Sequence, residues 1–121
     1  MAKYSLKLTK CYLRDLKLAR KRGMDEGLLN EIIGKLLDGE PLPEKNHDHL
    51  LHGDYEGCRE CHITPDWLLI YIKDTEINII SLSRTGTHSD LFGKKNDKQS
   101  LHHPECYPLL IKRNALDFVG V

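Results

Sequence analysis

The chain has 121 residues and carries 18 lysine and arginine side chains against 18 aspartate and glutamate side chains, so its formal net charge is zero. This length predicts one domain with its own core, and a composition of 40% hydrophobic and 30% charged residues excludes a disordered tail or a fibre. No apolar run approaches the roughly 20 residues of a membrane-spanning helix, and the first residues lack the apolar segment of a secretory signal, so we expect a cytoplasmic protein with no membrane partner.

The charges are unevenly distributed along the chain. Residues 1–22 hold eight basic side chains and one acidic one, whereas residues 23–66 hold three basic and eleven acidic ones. Because the local field steers a polyanion, a net charge of zero does not exclude a nucleic-acid partner. A solvated basic helix and a polyanion-binding surface both fit this pattern, and charge alone does not separate them.

The first half of the chain predicts a short strand followed by two helices. Apolar and polar residues alternate weakly over residues 4–9, which favours a strand. Residues 11–22 carry an apolar stripe at helical spacing among lysine and arginine side chains. A second helix is predicted from a doubled apolar stripe over residues 28–37, with Asp25 as its N-cap. A glycine follows each stripe, so the two helices are expected to form a helical hairpin.

The second half predicts a series of strands. Residues 58–63 alternate in polarity, residues 67–72 form the nearly continuous apolar run that is typical of a central strand, and residues 77–84 form a further strand. This order predicts an α+β fold in which two N-terminal helices pack on a mostly antiparallel sheet of four to five strands. Residues 1–93 form the predicted domain, and residues 94–121 are predicted to be a weakly structured C-terminal extension.

A C-x-x-C-H motif at residues 58–62 raises two metal-binding alternatives. It is the pattern of covalent haem attachment, but the chain lacks an export signal and an alternating strand would point Cys58 and Cys61 to opposite faces. A zinc site would need a second pair of ligands, which His47 and His49 supply only loosely. The third interpretation is that both cysteines pack in the core as small apolar residues.

The histidines predict acid–base chemistry. Five of them lie at strand edges or turns rather than inside apolar runs: His47, His49, His52, His62 and His88. Cleavage of an RNA phosphodiester needs a base for the 2′-hydroxyl group, an acid for the 5′-leaving oxygen and a cation for the phosphate. Imidazoles suit the first two roles and Arg84 suits the third. Trp67 and Phe92 are candidates for stacking on unpaired bases, although Trp67 is equally a candidate core residue.

Two longer motifs carry a family resemblance. Residues 62–71 read H-I-T-P-D-W-L-L-I-Y and residues 84–92 read R-T-G-T-H-S-D-L-F, and Asp48 and His49 precede them. With these motifs the chain resembles the YafQ-type toxins of the RelE superfamily, which are the toxin halves of bacterial type II toxin–antitoxin modules. The resemblance covers about residues 2–93, and motifs of this length are specific.

The resemblance implies an endoribonuclease that works without a metal or a cofactor and cleaves mRNA on the ribosome. It also implies a cognate antitoxin of the DinJ or RelB type, through which alone the toxin would contact operator DNA. The alternative is a RelE-like binding module of weak activity that acts through antitoxin-bound autoregulation. Two departures from the family pattern are Leu50, where a proline is usual, and the 28 residues that follow Gly93.

Positions that match the family motifs imply two groups of site residues. The implied catalytic group consists of His49, His62, Asp66 and His88. In the RNA-binding group, an arginine would stabilise the phosphate and two aromatic rings would hold nucleobases. The basic side chains of the first strand and helix are expected to contact mRNA or rRNA. These residues are Arg84, Trp67, Phe92, Lys3, Lys7, Lys10 and Arg14. Which histidine acts as the general base and which as the acid stays open.

Overall fold

The computed structural model describes residues 2–92, and the prediction for residues 94–121 lies outside the described residues. Strands and helices follow one another with two short 3₁₀ turns between them. In chain order they are β1 (Ser5–Leu8), α1 (Lys10–Lys21), α2 (Glu26–Leu37), the first 3₁₀ turn (Glu44–Asn46), β2 (His49–Leu50), the second 3₁₀ turn (Gly53–Tyr55), β3 (Arg59–Thr64), β4 (Trp67–Asp74), β5 (Ile79–Gly86) and α3 (His88–Phe92).

The strands form one mixed sheet. Their order across the sheet is β1–β5–β4–β3–β2, in which β1 runs parallel to β5 and every other neighbouring pair is antiparallel. The predicted α+β fold, with two N-terminal helices and a mostly antiparallel sheet, is confirmed. The sequence did not predict β2, α3 or the two 3₁₀ turns, because such short elements show little or no apolar period. The equally short β1 was predicted because the residues around it alternate weakly.

Helix α1 begins at a threonine that also ties the helix to the sheet. The Thr9 hydroxyl group accepts a hydrogen bond from the Tyr12 amide at 3.0 Å and donates one to the Ser83 carbonyl oxygen at 2.9 Å. Tyr12 and Ala19 are buried against the sheet. Beyond the helix, Gly23 adopts a φ of 77°, in the left-handed region that favours glycine, and the chain turns back into α2.

Helix α2 follows the sequence prediction closely. Its cap is Asp25, whose side chain accepts a hydrogen bond from the Gly27 amide at 2.9 Å. The buried stripe consists of Leu29, Ile32 and Leu36, and it packs on the same face of the sheet as α1. Among residues 2–92, no helix is long and apolar enough to cross a lipid bilayer.

The sheet separates two apolar cores. The helix-side core contains Leu69 and Tyr71 of β4 together with the buried residues of α1 and α2. The second core lies on the opposite face and contains Leu68 and Ile70 of β4 together with Leu91 of α3. Because successive residues of a strand point to opposite faces, β4 contributes to both cores, as expected of a central strand.

Candidate active site

The register of the sheet brings the predicted histidines together. His49 of β2 pairs with Glu60 of β3, so it is a diagonal neighbour of His62 on the same face. The row that contains His62 continues across β4 to Gly86 of β5, two residues before His88 begins α3. Residues far apart in sequence therefore meet at one end of the sheet, on the face that carries the second core.

Glu60 lies between two of these imidazoles. Its Oε1 atom is 3.3 Å from the Nε2 atom of His49 and 3.6 Å from the Nε2 atom of His62. Glu60 is only 5% exposed, and a carboxylate so removed from water needs positive or hydrogen-bonding partners. The other ring nitrogen of His49, Nδ1, lies 2.6 Å from the carbonyl oxygen of His47. The ring of His49 is thus held at both nitrogens.

His88 is held by the turn between β3 and β4. Its Nδ1 atom lies 2.7 Å from Oδ1 of Asp66, and its backbone amide donates to the same oxygen at 3.2 Å. These hydrogen bonds lower the pKa of Asp66, so that carboxylate stays ionised well into acid. With Nδ1 facing Asp66, Nε2 is the ring nitrogen left to exchange a proton with a substrate.

Three imidazole rings contact one another in series. The ring centroids of His62 and His88 are 5.6 Å apart and those of His47 and His62 are 5.3 Å apart, both in edge-to-face geometry. His47 adopts a left-handed φ of 47° at the end of the first 3₁₀ turn, which directs the chain towards β2. The side-chain amide of Asn46 donates to the carbonyl oxygen of His62 at 2.7 Å and joins this turn to β3.

The loop that carries His49 is anchored through Asp48. Oδ1 of Asp48 accepts hydrogen bonds from the Tyr71 hydroxyl group at 2.6 Å and from Nε of Arg59 at 3.3 Å. Burial, followed by this contact with Asp48, raises the pKa of Tyr71. Leu50 of β2 pairs with Arg59 of β3.

Arg84 reaches the same face of the sheet but is already paired. Its Nε and Nη2 atoms donate to the two oxygens of Asp15 at 2.8 and 2.9 Å, and both side chains are largely buried. Oδ2 of Asp15 also accepts from the Thr85 amide at 3.1 Å. In this conformation Arg84 joins α1 to β5, and its guanidinium group, a candidate phosphate ligand, is occupied by Asp15.

The two predicted aromatic contacts have different environments. Trp67 is 2% exposed and belongs to the helix-side core, so its ring has no face available to a base. The stacking prediction for Trp67 is corrected by this burial, and the alternative of a core residue fits. Phe92 is 40% exposed and packs edge-to-face on Tyr55 with centroids 5.8 Å apart, which leaves part of its ring accessible.

The predicted basic residues also differ in accessibility. Lys3, Lys10 and Arg14 are exposed, whereas Lys7 is half-buried and its burial lowers the pKa of its ammonium group. Cys11, next to Lys10, packs in the second core together with Leu91 of α3. The start of α1 therefore lies on the side of the sheet that carries the histidines.

The C-x-x-C-H motif does not form a single metal site. Cys58 packs in the second core and Cys61 in the helix-side core, as the alternation had predicted. Both are buried free thiols, and burial raises the pKa of Cys58 to about 11 and also raises that of Cys61. In the part of the chain that the structure describes, no three histidine, cysteine or acidic side chains are grouped to hold a metal ion.

Comparison with known proteins decides the family. The sequence profile described as "Bacterial toxin of type II toxin-antitoxin system, YafQ" matches residues 4–93. The chain belongs to the YafQ family. The "mRNA interferase toxin YafQ" of Escherichia coli K12 is 43% identical over 83 residues, which cover 68% of this chain and 88% of that protein. The "Putative toxin YafQ" of Haemophilus influenzae is 36% identical over 86 residues, which cover 67% of this chain and 84% of that protein.

A solved YafQ structure has the same fold. The toxin chain in the crystal structure of the E. coli DinJ–YafQ toxin–antitoxin complex matches with a TM-score of 0.69 and 37% identity, over 75% of this chain and 99% of that chain. The predicted family is confirmed. An mRNA interferase is an endoribonuclease, so the names of the relatives agree with the predicted enzyme class.

Glu60 and Asp15 were not among the predicted residues of this YafQ-family site, and His47 was a candidate histidine without an assigned role. Glu60 alternates with His62 along β3, so its position on the histidine face was visible in the sequence. Asp15 is the one acid among the eight bases of residues 1–22, and a single opposite charge of this kind is a signal of a specific partner. His47 gave no such signal, because the left-handed turn that brings its ring to His62 has no sequence pattern of its own.

Proposed function

We propose that this chain is the toxin of a type II toxin–antitoxin module and cleaves mRNA by histidine-based acid–base catalysis. The observation that supports this most directly is the series of His49, His62 and His88 with Glu60 and Asp66 at one end of the sheet. RNA carries its own nucleophile, the 2′-hydroxyl group, so cleavage requires only that protons be moved and the charge on the phosphate be met.

The base belongs to the pair His49 and His62. Both direct Nε2 towards Glu60, and Nδ1 of His49 also faces the carbonyl oxygen of His47, so the nitrogen that takes the 2′-proton is Nδ1 of His62 or a His49 nitrogen that first leaves its acceptor. The buried carboxylate then stabilises the ring that has become protonated. The 2′-oxygen then attacks the phosphorus atom while the bond to the 5′-oxygen breaks.

The acid is His88. Asp66 faces Nδ1 of this ring and stays ionised, so it fixes the orientation of the imidazole and stabilises its protonated form as a carboxylate does in a catalytic triad. Nε2 gives its proton to the departing 5′-oxygen. The products are a 2′,3′-cyclic phosphate, which hydrolysis converts to a 3′-phosphate, and a free 5′-hydroxyl group.

Substrate binding uses exposed residues around this centre. Phe92 offers a ring for stacking on an unpaired base, and Lys10 and Arg14 lie on the same side of the sheet and meet the phosphate backbone of mRNA or rRNA. A phosphate-stabilising role for Arg84 requires its guanidinium group to exchange Asp15 for the phosphate.

The ribosome and an antitoxin complete the proposal. The acidic stretch of residues 23–66 opposes binding to free RNA, so we expect cleavage to depend on mRNA held in the ribosome, in the cytoplasm where translation takes place. The E. coli relative forms a complex with DinJ, which supports a cognate antitoxin of that type here. We expect contact with operator DNA only through this antitoxin.

The proposal is tested by inducing the gene alone in a bacterial host. We expect growth arrest with the parent chain, and none with an equally soluble His88→Ala variant, because the proton donor is lost from an exposed position. Primer extension on translated mRNA should show cuts in the parent sample only. Cleavage that persists in EDTA is expected, and a requirement for an added divalent metal would contradict the mechanism. A harmless parent chain would favour the RelE-like binding module instead.

A further inference from the structure

A groove opens beside the candidate active site, between α2, the first 3₁₀ turn and the end of β3. It consists of two adjoining cavities of about 600 and 250 Å³ that share Leu28, Lys45, Asn46 and Ile63. The larger cavity is also lined by His47 and His62, so the α2–β3 groove is continuous with the row of imidazoles. Its combined volume lies in the range of sites that hold small ligands.

The groove exists because β2 is so short. β2 covers the outer edge of β3 only at Glu60 and Arg59, and beyond that point the first 3₁₀ turn takes its place. The carbonyl oxygen of His62 is bonded there by the side-chain amide of Asn46 at 2.7 Å rather than by a neighbouring strand. A side chain in place of a strand leaves room between β3 and α2.

The lining of the groove suits a flat ring with a charged neighbour. Leu28, Ile63 and Pro65 form apolar walls of the kind on which a base packs, and Lys45 can meet an attached phosphate. Besides Lys45, the smaller cavity is lined by Glu31 and Lys35 of α2, whose opposite charges offset each other, so it offers no additional net positive charge to a second phosphate. The groove therefore fits one nucleotide rather than a long strand.

Asn46 supplies a recognition group inside the groove. The residue is 3% exposed, and its Oδ1 atom is buried without a hydrogen-bond partner among residues 2–92. A buried hydrogen-bond acceptor without a partner costs desolvation free energy. A small movement of the side chain that brings this oxygen to a donor on a ligand would remove that cost. A nucleotide offers two kinds of donor, the N–H groups on the edge of its base and the 2′-hydroxyl group of its ribose, and the apolar walls beside Asn46 favour the base.

We propose that the α2–β3 groove is a base-binding subsite that holds the nucleotide next to the scissile phosphate, with Asn46 Oδ1 accepting a hydrogen bond from the edge of the base. The inference rests on the proposed function, because the substrate is RNA. It adds a determinant of sequence preference that lies on α2 and the first 3₁₀ turn, outside the predicted catalytic and RNA-binding residues. Since Nδ2 of the same amide holds the carbonyl oxygen of His62, binding of the base is directly linked to the position of a catalytic histidine.

The first test fills the groove without touching Asn46 or the imidazoles. Leu28 is 38% exposed, so Leu28→Trp can enter the groove from its rim, and Ile77→Trp at 48% exposure in the turn between β4 and β5 is the matched control. On translating ribosomes we expect Leu28→Trp to raise the half-saturating toxin concentration about tenfold, the loss of one base contact, and to flatten the base preference at one position beside the cut. Ile77→Trp should leave both unchanged.

The second test does not depend on cleavage. The side-chain amide signals of Asn46 are followed by NMR while a short 2′-O-methyl oligoribonucleotide, which lacks the nucleophile, is added to the full chain. We expect these signals to shift in the wild type and not in Leu28→Trp. A shift together with an inactive wild type would count against the proposed function and leave the subsite in place.

Three results would overturn the inference. The first is identical cleavage and base preference in Leu28→Trp and Ile77→Trp. The second is unmoved Asn46 signals at saturating oligonucleotide. The third is normal cleavage by Leu28→Trp with loss of neutralisation by the antitoxin, which would assign the groove to a protein segment. If Leu28→Trp does not fold, the Asn46 signals of the wild type decide.

Discussion

At the scale of single residues, the buried carboxylate of Glu60 sets the geometry of the site. Its Oε1 atom is within 3.6 Å of two imidazole Nε2 atoms, and the histidines that carry them lie on the neighbouring strands β2 and β3. An ionised group in such a place stabilises the positive charge that appears when either ring accepts a proton. Glu60 is therefore expected to act through His49 and His62 as a positioning residue.

Glu60→Gln tests this role with little change in volume. We expect the rate of mRNA cleavage to fall about tenfold to a hundredfold, because the glutamine keeps a hydrogen-bonding group but loses the charge that favours the protonated ring. The pH dependence of the rate should change together with its size, which a loss of packing alone would not produce. Glu56→Gln, at an exposed position before β3, is the control. Equal rates for the two variants would remove Glu60 from the mechanism.

The pairing of Arg84 with Asp15 allows two roles of Arg84 to be separated, stabilisation of the fold and binding of the phosphate. Arg84→Gln leaves a largely buried carboxylate unpaired, and we expect a loss of about 3 kcal/mol in the free energy of unfolding. In the double variant Asp15→Asn/Arg84→Gln the amide oxygen at residue 15 can still accept from the Thr85 amide. Thermal unfolding should then recover while cleavage stays low. Recovery of cleavage along with stability would show that Arg84 serves the fold alone.

At the scale of elements, the five-residue helix α3 depends on one aspartate for its position. Asp90 accepts hydrogen bonds from Arg22 at 2.6 Å and from the Thr87 amide at 2.9 Å, so α1 holds the element that carries His88. Gly86 lies directly against it, since a Cβ atom there would come within 2.9 Å of the Asp90 Cβ atom. A helix of five residues has few hydrogen bonds of its own, so the position of His88 depends on this external support.

The hydrogen bonds that hold α3 give stability a dependence on acid. The contact with Arg22 lowers the pKa of Asp90 to about 2, below the ordinary value of 3.8, so the native state favours the ionised form. The contribution of ionised Asp90 to the free energy of unfolding is complete above about pH 4 and is lost as the pH falls through about 2. We expect the melting temperature of Asp90→Asn to lie below that of the wild type at pH 7, and the difference between the two to disappear between pH 4 and pH 2. Cleavage by the variant should also be slower at pH 7.

The exposed pair of Arg20 and Glu26 is the control for this measurement. It also joins α1 to a neighbouring element, but it does not touch α3. Glu26→Gln should therefore leave the rate of cleavage unchanged, and any loss of melting temperature should be small because both partners face solvent. A melting difference for Asp90→Asn that persists unchanged to pH 2 would contradict the assignment.

Sequence patterns predict the long elements and miss the contacts between them. The apolar stripes of α1 and α2 and the runs of β3, β4 and β5 are long enough to show a period. Trp67 shows where such patterns stop: in a strand buried on both faces, period gives no indication of which side chains reach the surface. The pairing of Arg84 with Asp15 spans 69 residues, and no local pattern encodes a contact of that range.

At the scale of the whole molecule, the separation of charge predicts how binding responds to salt. Lys10 and Arg14 are exposed near the second core, while the acidic residues belong mainly to α2 and the loops after it. Each basic side chain that contacts a phosphate group should add about one unit to the slope of log affinity against log salt concentration. The expected partner is RNA that the ribosome already presents.

Lys10→Gln/Arg14→Gln measures this contribution. We expect the half-saturating toxin concentration on translating ribosomes to rise, and its salt dependence to weaken by about two units of slope. Lys73→Gln, which removes an exposed base near the far end of β4, is the control. An unchanged salt slope in the double variant would place the RNA on another surface.

The parallel pairing of β1 with β5 has a consequence for synthesis of the chain. Within residues 2–92, β1 lies at the edge of the sheet beside β5, and Ser5 pairs with Ile79 across more than half of the polypeptide. A chain emerging from the ribosome cannot complete this pairing until β5 has been made, and pairings of such range form slowly. His88 follows that strand directly. A polypeptide interrupted before residue 79 would therefore lack both β5, the partner of β1, and the histidine to which we assign the proton donor, so we expect no partial activity from it.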